Sequence, residues 1–258
     1  MFNRSLLSDT RTHMAGVLIL IWIVGLWEMR ALPFFIFPIL TTLVTIFFDI
    51  VCIKLKQEPV RFPSSSLVTG LILGLVLQPF EHPLLVVLAP LAAVLSKQLL
   101  RIKGKHIVNP AAFGIVTMNI LFGTSIAWWA ASSHYLVIWI AAIGGGYILW
   151  RLRRLWLSIS FFVAYTLYLI FIGKTNSLFN LVVDGTVFFF AFIMLPEPMT
   201  SPNRNVWRFL WGPMVVGFMF LFQLAKVPVG DAFLVPLLLA NLIWWGVRSG
   251  IVSLPNKQ

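Results

Sequence analysis

The residues able to do chemistry in this 258-residue chain stand at the ends of apolar runs. Asn109, in KGKHIVNPAAFG (103 to 114), directly precedes Pro110 and presents two donors and an acceptor. That set suits the carbonyl and imide edge of a flavin or quinone, and equally a backbone carbonyl left free beside a proline. Asp49 and Asp184 are acids inside apolar runs, where a carboxylate is costly unless paired, protonated or hydrated. Both are therefore candidates for proton or cation handling, with local pairing as the structural alternative, and Asn241 carries the same two readings. In SSSLVTGLILG (64 to 74), Ser64, Ser65 and Ser66 bring hydroxyls that can cap helix donors or hold an anion. Gly70 and Gly74, four apart, let a second helix or a flat ring approach closely. LPEPMTSP (195 to 202) fixes Glu197, Thr200 and Ser201 among three prolines.

Other chemistries are excluded by type and place. His13, His82, His106 and His134 all fall at run edges on two different sides, so no haem is expected. No His, Cys, Asp and Glu grouping has metal-ligand spacing, and no glycine-rich loop forms a nucleotide cradle. The single Cys52 rules out an intramolecular disulfide and a cysteine-ligated cluster. Any nicotinamide chemistry must belong to a partner.

The elements that position these groups are read from hydropathy. With 60% hydrophobic and 10% charged residues, the chain has too little polar surface to cover a soluble globule, and the bilayer is its expected solvent. The first run, 15 to 27, has no small-residue cleavage site after it and reads as a retained span. Ten spans are expected, near 14–31, 33–54, 64–80, 84–101, 106–122, 134–150, 155–173, 179–196, 206–224 and 231–248. Assigning tail and loops to alternate sides puts 16 Lys and Arg on one side and only Arg30, Lys174 and Lys226 on the other. This bias expects both termini in the cytoplasm and turns the net charge of +11 into a topology signal, with no nucleic acid implied.

The expected fold class is an all-α polytopic membrane protein forming one domain over 1–258, with halves at 14–122 and 134–250. Five spans is an odd number, so a duplicated half would lie inverted in the membrane. QPFEHP (78 to 83) and EPMTSP (197 to 202) close the third and eighth runs in the same polar-Pro-x-x-x-Pro pattern, and the runs that follow carry Pro90 and Pro213. Short, proline-ended runs at matching positions point to discontinuous helices around a central site.

SSSLVTGLILGLVLQP (64 to 79), KGKHIVNPAAFG, GTVFFFAFIMLPEPMTSP (185 to 202) and GDAFLVPLLLANL (230 to 242) together resemble the NqrB/RnfD family, membrane components of the sodium-translocating NADH:quinone oxidoreductase and of Rnf-type electron-transport complexes. The resemblance implies two inverted five-helix repeats of urea-transporter-like architecture. It also implies a non-covalent flavin, riboflavin or FMN, beside the Asn-Pro-Ala segment. Asn109 then matches the family's amide next to Pro110, His106 replaces a second amide, and Glu197 stands where Asp is common. Asn109 and His106 are expected at the ring edge, Ser66, Thr69 and Gly70 at its close approach, and Glu197, Thr200 and Ser201 at the second helix break. The Ser-Gly-Ala-Thr motif that attaches FMN in other members is missing from GTSIAWWAASS (123 to 133), so no covalent FMN is expected. The implied role is a bacterial inner-membrane subunit passing electrons between a cytoplasmic-side donor subunit and a quinone or extracytoplasmic flavoprotein, with Asp49 and Asp184 as ion-coupling candidates. The alternatives are a transporter or channel for a small solute or a flavin, and a scaffold that anchors partners.

Overall fold

A computed structural model describes residues 9–59, 62–102, 104–203, 205–228 and 230–249. Of the basic residues counted for the cytoplasmic side, Arg4, Arg61, Lys103, Arg204 and Lys257 lie outside these, as do the chain ends. Among the described residues, three helices are long and apolar enough to cross a membrane: α1 (Thr10–Met29), α2 (Leu32–Leu55) and α9 (Asn205–Leu224). Shorter apolar helices are α3 (Ser64–Val76), α4 (Leu85–Leu99), α5 (Pro110–Phe122), α6 (Leu136–Arg151), α7 (Leu155–Phe171) and α10 (Leu234–Ser249). The remaining expected span is a pair, α8a (Thr175–Val182) and α8b (Gly185–Met194), bent by 53°.

Local chemistry sets the boundaries. Asp9 caps α1 by accepting from the Arg11 amide, and Arg30 closes that helix in the left-handed region at φ 44°. Pro33 opens α2, where its missing donor leaves no hydrogen bond unmade. The fifth helix starts at Pro110 rather than 106, because β1 (Arg101–Ile102) pairs antiparallel with β2 (Lys105–His106), with Gly104 before β2 at φ 77°. This small antiparallel pair departs from the all-helical expectation. The α8 bend falls where Asp184 adopts extended backbone and caps α8b.

Neighbour relations recur between α1–α5 and α6–α10. In the first set α1 packs on α3, α2 on α3 and α4, and α4 on α5; in the second, α6 packs on α8b, α7 on both parts of α8 and on α9, and α9 on α10. The two sets meet where α1 touches α6 and α5 touches α10. Glycines permit close crossings: a Cβ at Gly70 would stand 2.5 Å from Thr42 Cα, and one at Gly74 would overlap Pro38. Both glycines therefore serve the contact of α3 with α2. Leu20, Ile23, Phe47, Ile120, Trp139, Leu167 and Phe171 point outward, as a lipid-facing surface requires.

Two helices stop short, and their last carbonyls find tertiary donors. After α3, Gly74 O accepts from Trp129 Nε1 at 2.9 Å, Val76 O from the Ala127 and Trp128 amides at 2.9 Å each, and Leu75 O from the Ala130 amide at 3.4 Å. The connection 123–133, expected as an outer loop, thus folds inward and buries Trp128 and Trp129. At the end of α8b, Ala191 O accepts from Ser158 Oγ, Met194 O from Asn109 Nδ2 and Leu195 O from Trp211 Nε1. Trp129→Phe keeps the ring and deletes the donor to Gly74, which leaves a buried carbonyl unpaired and is expected to lower stability by about 1–3 kcal/mol. Gly74→Leu is expected to abolish folding, because the nearest opposing atom is the Pro38 backbone Cα. Thermal unfolding in detergent, with size-exclusion profiles, checks both; a Trp129→Phe variant as stable as wild type would show that the connection is not held by that bond.

Candidate functional site

A void of about 100 Å³ lies where the ends of α1, α3, α5, α6 and α8b converge, at the junction of the two sets. Its walls are apolar, chiefly Met14, Ile72, Leu149 and Ile193, and its polar residues are Thr10, Arg11, Ser65, Thr69, Asn109 and Glu197. Of the residues singled out in the sequence, Thr69, Asn109, Pro110 and Glu197 line it together.

Asn109 is buried and largely committed. Its Oδ1 accepts from the Ala112 amide at 3.1 Å and caps α5, its Nδ2 donates to Met194 O at 3.2 Å, and its amide donates to Asn241 Oδ1 at 2.9 Å. One N–H of the side chain is left unspent. Asn241, buried in α10, has an Nδ2 without a hydrogen-bond partner among the described residues. Thr69 turns its hydroxyl back to Ser65 O at 2.9 Å.

Glu197 lies beyond the end of α8b and faces the void. Thr200 Oγ1 donates to its Oε2 at 2.8 Å, and Ser201 Oγ donates to its backbone carbonyl at 2.6 Å. The buried Arg154 holds this turn from α7, donating to Ser201 Oγ at 2.6 Å and to Pro198 O at 3.4 Å, and Arg248 donates to Met199 O at 3.3 Å. Thr200 and Ser201 thus fold the break onto itself and leave only the carboxyl for the void. Burial pushes that carboxyl up to about 7, against the pull of the Thr200 hydroxyl and of Arg11, Lys97 and Arg154.

Ser66, Gly70 and His106 are placed elsewhere. Ser66 donates to Asp49 Oδ2 at 2.5 Å, Lys97 Nζ reaches the same oxygen at 2.8 Å, and Gln98 Nε2 donates to Asp49 Oδ1 at 2.8 Å. Asp49 is therefore a paired carboxylate joining α2, α3 and α4. His106, in β2, places Nδ1 3.1 Å from Lys97 O, and burial with Lys97 and Arg101 nearby pushes its imidazole down to about 4. It pins the hairpin to the end of α4 and stays neutral at pH 7. Asp184 accepts from the Thr186 and Val187 amides at 2.8 and 3.3 Å as the cap of α8b.

Sequence reasoning passes over Lys97, Arg154 and Asp231. Lys97 and Arg154 count there among the topology charges, although Lys97 sits inside the helical register of its run. Asp231 accepts from Trp128 Nε1 at 2.7 Å and from the Phe233 and Leu234 amides, so it both caps α10 and holds the inward connection. Spacing is a signal that could have found it. Asn119 follows Asn109 by ten residues, as Asn241 follows Asp231. Asn241 meets the cap of α5, while the Asn119 side chain packs against Gly230, beside the cap of α10.

Apolar helices with outward Leu, Phe and Trp, and breaks whose polar groups turn inward, define a helical membrane protein. The model of the NQR2, RnfD, RnfE family matches residues 3–142, more than half of the 258-residue chain, and the chain belongs to that family. The match includes the 64–79 and 103–114 motifs, while 185–202 lies beyond it. A search of the curated proteins finds no match.

Two outcomes are expected of the polar groups. Lys97→Met leaves Asp49 buried without its cation and lowers stability by about 3–5 kcal/mol, while Asp49→Leu combined with Lys97→Met recovers most of it, as a double-mutant cycle in detergent would measure. Glu197 is raised from 4.5 to about 7 on folding, so its neutral form is the stabilising one. Wild-type stability should fall between about pH 4.5 and 7 and then level off, and Glu197→Gln should lack this slope. Equal pH profiles for the two proteins would remove Glu197 as the titrating group.

Proposed function

We propose that this chain is a membrane subunit of an Rnf- or Nqr-type redox complex, with ten spans in two inverted sets, and that it holds a non-covalent flavin at the junction of the sets. The observation that carries this reading is the convergence of Asn109-Pro110 from one set and Glu197 from the other on a single apolar-walled void. The lining has the chemistry of a planar ring site. Ile72, Met14 and Leu149 offer apolar faces, and the unspent N–H of Asn109 and the Glu197 carboxyl offer polar contacts to a ring edge. Its volume of about 100 Å³ is below the roughly 300 Å³ at which small-molecule pockets begin. Admission of a tricyclic ring therefore requires the start of α1, with Arg11 and Met14, to move away from Leu149 and Leu152.

A bound flavin supplies the one- and two-electron chemistry. The chain's own part is to orient the ring, exclude water with its apolar walls and set the charge beside the ring through Glu197. The donor would be a cytoplasmic-side subunit and the acceptor a quinone or an extracytoplasmic flavoprotein, in a bacterial inner membrane. Passage of a solute is the less supported reading, because Trp128, Phe189, Phe190 and Phe233 fill the interior beyond Ile193, with ring centroids 5.0–6.3 Å apart.

Protein purified in mild detergent is expected to show flavin absorption, or to acquire it from added riboflavin, and to lose all fluorescence from its band on a denaturing gel. Met14→Trp, which fills the void from the α1 side, is expected to abolish riboflavin uptake. A colourless preparation that takes up no riboflavin would overturn the proposal, and a fluorescent band that survives denaturation would overturn its non-covalent part.

A further inference from the structure

The outer faces of α7 and α9 diverge along a groove of about 770 Å³ whose walls include Val163, Ala164, Leu167, Pro213 and Phe220. Gly217 opens its floor, since a Cβ added there would meet nothing within 4 Å. At one end the groove runs, through the shared Trp156, into a second hollow of about 770 Å³ lined by Arg151, Arg153, Arg208 and Trp150.

Three arginines border this hollow. Arg208 is held by donating from Nη1 to Arg153 O at 2.9 Å and from Nη2 to Asn203 O at 2.7 Å, while its buried Nε has no partner among the described residues. Arg151 and Arg153 are exposed. No carboxylate answers the three cations: the ion pairs among the described residues are Lys97–Asp49 and His134–Glu28. The charge bias that orients the protein accounts for arginines on this side, but not for three of them around one hollow that continues an apolar groove. Guanidinium groups bind phosphate oxygens in a fixed fork, and tryptophans such as Trp150 and Trp156 favour the level of the lipid headgroups.

We propose that the α7–α9 groove is a binding site for one anionic phospholipid, with its phosphate on Arg151, Arg153 and Arg208 and an acyl chain laid along Leu167, Gly217 and Phe220. Charge complementarity selects this occupant: a zwitterionic lipid adds a cation to a hollow that already holds three, and an apolar partner helix leaves them unanswered. The site is separate from the void at the junction of the sets and stands whether or not a flavin binds there.

The test uses the full chain in detergent with added phosphatidylglycerol or phosphatidylcholine. Phosphatidylglycerol is expected to raise the apparent melting midpoint of the wild type by about 5 °C more than phosphatidylcholine does. Arg151→Gln with Arg153→Gln removes the charge, and Gly217→Leu fills the groove where there is room for a side chain; each variant, checked for folding by size exclusion, is expected to lose that increment. Equal shifts with the two lipids, or an increment retained by either variant, would overturn the site. A photoreactive residue at position 167 in native membranes is expected to label lipid, and labelling of a protein in its place would assign the groove to a partner subunit and overturn the proposal.

Discussion

A carbonyl that loses its intrahelical donor while buried among apolar groups must find another partner, and two helices of this protein end that way. Much of the architecture follows from where the replacement donors come from. The carbonyls closing α3 take Trp129 Nε1 and the amides of Ala127, Trp128 and Ala130, which forces the connection between the two helix sets to fold inward. The carbonyls closing α8b take Ser158, Asn109 and Trp211, which ties α5, α7 and α9 to the same point. Asn109 is central because one side chain caps its own helix and serves the opposite break, while its amide reaches Asn241.

Buried charge is handled by the same logic. Asp49 is answered in full by Lys97, Ser66 and Gln98, and Asp184 and Asp231 are spent on helix caps. Arg154 is buried without a carboxylate partner among the described residues, and it spends its donors on the turn after α8b. That leaves Glu197 as the acid facing the void, a carboxyl raised by burial and fixed by Thr200. A void whose surroundings are otherwise saturated presents few free polar groups.

Much of the fold was legible because its signals are local. Hydropathy located the apolar helices, and proline marked the ends of α3 and α8b. The site was legible in part. Asn109, Pro110, Thr69 and Glu197 share one void, but Ser66 is drawn to Asp49, Gly70 to α2 and His106 to the end of α4. Each of the three carries a side chain, or lacks one, in a way that fits several partners, and sequence does not state which partner is near.

The sequence by itself determined that the chain is a helical membrane protein, that proline ends α3 and α8b, and to which family it belongs, because apolar length, proline and motif order are properties of consecutive residues. Tertiary structure alone decided who answers the polar groups. The nearest donor to a freed carbonyl is often distant in sequence, as Asn109 is from Met194 and Trp129 from Gly74, and those distances are set only when the helices pack.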